Sequence, residues 1–301
     1  VQHLHDLGYN QSFGDCHQNA HEAGRFSYEV YGDKAFQFCS AECHSGCYHG
    51  ATEAYFVEHG TANFADNLKL LCSSELNPFF SHQCIHGIGH GLTAWASYDL
   101  PEALKSCDLL PSSRESCYSG VFMENIVGGL AQEQGHTTQY LNDDPHFPCN
   151  IVEGKYKAAC YFYQTSRMMQ LFGGDFSKVA LTCSEAAAMY GRHCFESMGR
   201  DVGGVYRGNP QGAINACSNA REGNPRIWCL NGAVQDVFWD PSGQDTALLF
   251  CKLLANRDEK ENCYHTVFAR APQVLGSSAD LKSFCQNAEH EYQDECLTFV
   301  K

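Results

Sequence analysis

The sequence predicts an all-α protein, a disulfide-stapled α-solenoid or closed toroid of about eight two-helix repeats of roughly 34 residues each. Three observations carry this expectation. Cysteines recur in two parallel series at a nearly constant period, helix-start phrases precede the first series, and helically spaced apolar residues follow the second. The whole chain, 1–301, is read as a single helical-repeat domain, with His-rich repeats over 1–127, an insertion over 128–148 and further repeats over 149–301.

The first series is Cys39, Cys72, Cys107, Cys149, Cys183, Cys217, Cys251 and Cys285; the second is Cys47, Cys84, Cys117, Cys160, Cys194, Cys229, Cys263 and Cys296. Two cysteines about 11 residues apart on one continuous helix would lie roughly 16 Å apart, far beyond the ~4.4–6.8 Å between Cα atoms that a disulfide spans. A turn must therefore separate them, and each bond clips helix A to helix B of one hairpin. Cys16 and Cys43 remain and pair with each other, which completes nine expected disulfides among the 18 cysteines.

Within each unit the phrases agree. Asp99–Cys107 (DLPEALKSC), Asp175–Cys183 (DFSKVALTC) and Asn209–Cys217 (NPQGAINAC) each open on a capping Asp or Asn, followed by Pro or a polar first turn. After the second cysteine, Ile85, Ile88 and Leu92, or Leu230, Ala233 and Val237, form an apolar stripe at offsets +1, +4 and +8. The period resembles that of TPR-like and Sel1-like helical repeats. Their signature residues are absent, so the resemblance is to the architecture alone. Cys39-Ser-Ala-Glu-Cys43-His44 has the form of a widened c-type haem attachment site, but both cysteines already have places in the pairing scheme.

The chain carries 35 acidic and 20 basic residues for a net charge of −15. Such a surface repels phosphate backbones and anionic headgroups, which excludes nucleic acid as the expected partner. No apolar run approaches the roughly 18–20 residues of a membrane helix, so no membrane insertion is expected. The even cysteine count implies an oxidising compartment and reads as secreted or periplasmic. Val1 is not an initiator methionine and no charged-then-apolar leader opens the chain, which reads as a targeting segment removed or left out.

Aligned on the second cysteine, offsets +2 and +6 carry His49 and Glu53 in one repeat and His86 and His90 in the next. His17 and His21 stand at the same separation on the preceding helix, shifted by one position. Residues four apart share a helix face with Cβ atoms about 5–6 Å apart, so both can reach one metal ion. With 15 histidines, about 0.7 such His pairs are expected by chance, so the weight lies in their repeat-aligned placement on consecutive helices. Later repeats put Phe162/Ser166, Glu196/Arg200, Asn231/Gln235 and His265/Ala269 there. The ligand pairs point about 150° away from the apolar stripe, and so are expected to face outward into a groove formed by stacked B helices. Gly50, Gly87, Gly120 and Gly232 at offset +3 need a reason inside a helix, such as close approach of neighbouring backbone or a ligand.

The expected metal ligands are thus His17, His21, His49, Glu53, His86 and His90, enough for one ion with spare groups or for two adjacent ions. Imidazole-rich ligation suits a divalent transition metal such as zinc, copper or iron, and Glu53 weighs against a purely cuprous site. Glu124, at offset +7 on the next helix, and Glu22, beside His21, are the candidate catalytic carboxylates or further ligands. His44, His59 and His82 flank the cluster, and His136 and His146 sit in the insertion. Glu196, Arg200, Asp201, Asn231, Gln235 and Asp236 would line the groove and bind a peptide or other polar substrate, or form a solvated face. The expected function is a secreted metal-dependent enzyme, hydrolytic or oxygen-using. The alternative is a non-enzymatic metal scavenger or an extracellular protein-binding or peptide-binding scaffold. No GxSxG, Walker A, HExxH or dinucleotide fingerprint supports another common enzyme class.

Overall fold

A computed structural model describes residues 13–40, 42–61, 66, 72, 78–128, 137–238, 243–275 and 277–300, with backbone alone for 13–18, 42, 44 and 78–80. It is all-helical, with no strand among the described residues. The α-helices are α1 (Phe13–Tyr31), α2 (Gly46–His59), α3 (Pro78–Trp95), α4 (Leu100–Cys107), α5 (Arg114–Ile126), α6 (Gly154–Leu171) and α7 (Phe176–Glu185), followed by α8 (Ala188–Val205), α9 (Pro210–Cys217), α10 (Asn224–Val237), α11 (Gly243–Leu253), α12 (Arg257–Val274), α13 (Ser278–Asn287) and α14 (Gln293–Leu297).

The three helix-start phrases are α4, α7 and α9. The Asp99 side chain accepts from Glu102 N–H, Asp175 from Ser177 and Lys178 N–H, and Asn209 from Gly212 N–H, which satisfies orphan donors of the first turn. Seven ladder disulfides are described: Cys39–Cys47, Cys72–Cys84, Cys107–Cys117, Cys183–Cys194, Cys217–Cys229, Cys251–Cys263 and Cys285–Cys296. Their Cα separations of 5.3 to 5.8 Å are those of hairpin clips. Cys43, Cys149 and Cys160 are also disulfide-bonded, and no described cysteine is free. The side chain of Cys16 lies outside the described residues.

Two details differ from expectation. The B helices begin before their cysteine rather than after it, so the clip anchors inside the early turns of the helix. Helix A is also not uniform: the short 3-10 helix Gly32–Gln37 stands in its place before Cys39, and turns over 145–151 do so around Cys149.

The described chain forms two compact units, one of residues up to Asn142 with Ile151–Cys160, the other of Asp143–Asn150 with Tyr161 onward. In the first, B helices stack in sequence, α1 on α2, α2 on α3 and α3 on α5; in the second, α8 packs on α10 and α10 on α12. The apolar stripes Ile85, Ile88, Leu92 and Leu230, Ala233, Val237 are buried as expected. Glycines set the spacing. A Cβ on Gly50 would lie 1.9 Å from the carbonyl oxygen of His21, one on Gly120 1.9 Å from that of His86, and one on Gly232 2.1 Å from that of Glu196. Neighbouring backbone is therefore the reason for these three, while Gly87 faces the His49 ring. No helix of the described residues is long and apolar enough to cross a membrane.

Candidate metal centre

In the first unit the close stacking of α1, α2, α3 and α5 closes over the histidine register. His21, His49, His86 and His90 are all buried, at 5%, 1%, 5% and 2% exposure. The expectation of an outward-facing ligand stripe is corrected here: α3 packs against both α2 and α5, and its histidines are buried together with its apolar stripe Ile85, Ile88 and Leu92. Thr52 adds a tie between helices, its hydroxyl 2.8 Å from the carbonyl oxygen of Gly87.

Two carboxylate–imidazole pairs flank the cluster. His21 Nδ1 lies 2.9 Å from Glu53 Oε1, and His90 Nδ1 lies 2.7 Å from Glu124 Oε2. An ionised carboxylate only accepts, so each Nδ1 carries a proton, and in the neutral form of the ring Nε2 then keeps the lone pair. Those nitrogens face the other two imidazoles: His21 Nε2 is 3.2 Å from His49 Nδ1, and His90 Nε2 is 3.1 Å from His86 Nε2. The His49 and His90 rings stack with centroids 4.1 Å apart. Ligand atoms of His49, His86 and His90 all lie within 4.8 Å of one another, a buried group able to hold a metal ion. Comparison with protein-family models, curated proteins and solved structures finds no match.

Both carboxylates are held from behind. Arg25 donates to Glu53 and, at 2.5 Å, to Glu22; the Tyr98 hydroxyl donates to Glu124 Oε1 at 2.8 Å. Tyr98 follows Ser97 in the turn after α3, and both have left-handed backbone, with φ of 63° and 52°. For a bulky residue that conformation is costly, and here it accompanies the tyrosine's contact with Glu124. Burial and the Glu124 charge push the Tyr98 hydroxyl well above its ordinary pKa, so it stays a donor. Burial pushes the Glu53 carboxyl up, but the His21 hydrogen bond and charge, with help from Arg25, outweigh it and hold the pKa below 4.5.

That shift has a sign. A carboxyl whose pKa is lower in the folded chain favours folding above its ordinary value and loses that contribution as pH falls through the folded value. Acid unfolding of the metal-free protein should therefore steepen below about pH 4.5, and Glu53→Gln should flatten that limb while lowering stability at neutral pH. Denaturant midpoints measured from pH 3 to 7 check this. Parallel curves for the two proteins would mean that Glu53 carries none of the acid sensitivity.

Among the residues singled out by sequence, His21, Glu53, His49, His86, His90 and Glu124 come together. Glu22 lies on the exposed edge of α1, its carboxylate on Arg25. The side chains of His17 and His44, and all of His136, lie outside the described residues. His59 bonds Tyr28 at 3.1 Å, and His82 bonds Ser116 at 2.7 Å. In the second unit His146 pairs with Tyr161 and Glu185. There four of the polar residues expected to line a groove, Glu196, Arg200, Asp201 and Asp236, bond one another or their neighbours, while the buried Asn231 Oδ1 has no hydrogen-bond partner among the described residues. Arg200 donates to Asp201 and Ser166, Asp201 accepts from Thr165, Arg192 donates to Glu196, and Arg207 donates to Asp236. Arg25, Tyr98 and Met123 were not singled out by sequence. Met123 alone had a legible signal, since it stands at offset +6 after Cys117, the position of Glu53 and His90 in their repeats.

Proposed function

We propose that this chain is an extracellular metalloprotein, secreted or periplasmic, whose imidazole cluster of His21, His49, His86 and His90 holds one or two transition-metal ions: zinc, copper or iron. The observation that carries this reading is the buried convergence of ring nitrogens at 3.1 and 3.2 Å. Two tetrahedral nitrogen ligands at about 2.05 Å from one ion stand about 3.3 Å apart, close to these separations. Glu53 and Glu124 fix the tautomers of His21 and His90, the part that carboxylates play behind metal-bound imidazoles. His17, one turn before His21 on α1, is a further imidazole of the same proposal. The described disulfides, with no free cysteine among the described residues, support the oxidising compartment.

The second reading is enzymatic use of the metal, hydrolytic or oxygen-using. The hydrogen-bonded chain from Tyr98 through Glu124 to His90 favours it, because it offers a proton a route to the centre. It requires a coordination position that exchanges with solvent.

Elemental analysis of the native protein tests the reading. At least one equivalent of zinc, copper or iron per chain is expected, lost as the pH falls through about 6, where free imidazoles take up protons. A protein that retains no transition metal after loading at neutral pH would overturn it.

A further inference from the structure

We propose that the thioether of Met123 is a metal ligand beside His86 and His90, and that the centre selects copper in its cuprous state. This rests on the metal-centre reading above and deepens it by naming the metal.

Two independent observations converge on Met123. By sequence it occupies the +6 position of its repeat, counted from Cys117, where the preceding repeats place Glu53 and His90. In space, its Sδ lies 3.3 Å from His86 Nε2, the same nitrogen that stands 3.1 Å from His90 Nε2. The Met123 sulfur and the His90 nitrogen thus both lie within 3.3 Å of His86 Nε2, the point that they share. The adjacent residue on α5, Glu124, holds His90 by its Nδ1 and leaves Nε2 toward that point. A thioether is a weak hydrogen-bond acceptor, so its contact with a ring nitrogen contributes little by itself.

The donor set decides the metal. Glu53, the hard oxygen ligand that sequence placed among the imidazoles, has its two oxygens on His21 and Arg25. Glu124 likewise has one oxygen on His90 and the other on Tyr98. The groups facing the shared point are then imidazole and thioether. Soft thioether ligation selects cuprous copper, whereas zinc takes thiolate, imidazole or carboxylate.

The test is an anaerobic titration of metal-free protein with Cu(I), in competition with a chromophoric chelator, and separately with Zn(II), for the wild type and Met123→Leu. Leucine keeps the volume and removes the sulfur. The proposal expects Cu(I) affinity to fall about tenfold or more while Zn(II) affinity stays within about twofold. X-ray absorption of the Cu(I)-loaded wild type should show a sulfur neighbour that the variant lacks. Unchanged Cu(I) affinity, or equal losses for both metals, would overturn the role of Met123 and leave the imidazole centre standing. If the variant does not fold, the wild-type spectrum decides alone: copper with nitrogen neighbours only overturns the proposal. A wild type that binds neither metal overturns this proposal, and one that also fails to bind iron overturns the centre itself.

Discussion

Replacing both His86 and His90 with alanine should reduce the bound metal from stoichiometric to background while the helical signal and the disulfides persist. The two residues supply half of the four described imidazoles, and both lie on α3, where their Nε2 atoms stand 3.1 Å apart. A complete four-ligand zinc site contributes roughly 10–16 kcal/mol of apparent binding free energy, so losing two ligands removes several kcal/mol, a factor of thousands in affinity. The fold should tolerate the change better than the site does. Cys72–Cys84 and Cys107–Cys117 clip the hairpins on either side, and the apolar stripe of α3 is untouched. His59→Ala is the control, since that ring bonds Tyr28 rather than the cluster. Metal content by elemental analysis, with circular dichroism on the same samples, checks the result. Unchanged stoichiometry in the double variant would remove this cluster as the metal site.

A large loss of stability should come from Gly120→Ala. The added Cβ would lie 1.9 Å from the carbonyl oxygen of His86, which is helix backbone and cannot rotate aside. Relief requires α5 to move off α3. Overpacking costs typically ~1–3 kcal/mol, and a backbone clash of this kind belongs at or above the upper end. The same displacement would draw Glu124 away from His90, so metal affinity should fall together with stability. Gly191→Ala makes the opposite prediction. Gly191 lies inside α8 with nothing within 4 Å of the added atom, and alanine there should stabilise the protein by up to about 1 kcal/mol. Denaturant midpoints under oxidising conditions measure both. If Gly120→Ala is no more harmful than Gly191→Ala, the backbone contact does not set the spacing of α3 and α5.

Much of this protein is legible in its sequence. The cysteine spacing excluded a continuous helix between partners because a disulfide tolerates only a narrow Cα separation, and the seven described ladder bonds are the ones that this argument requires. The starts of α4, α7 and α9 followed from side chains that cap their own first turn, which is local chemistry. Bringing His49, His86 and His90 into one group also followed from register, because residues four apart share a face and aligned repeats place those faces in line.

Tertiary structure alone decided where that face points and which neighbours each group meets. A helical wheel separates the ligand stripe from the apolar one, but it cannot say whether the second stripe meets water or another helix. Glycines that admit backbone to within contact answered that by burying both. Offset along a helix likewise does not say which side chain a carboxylate meets, since that turns on a side-chain rotation and a few ångströms; in the packed chain Glu53 and Glu124 sit on imidazole nitrogens. Tyr98 reaches Glu124 across a left-handed turn that no periodicity encodes. The residues that repeat were readable in sequence because a repeat restates the same local geometry, whereas the contacts between them arise only once separate helices are packed.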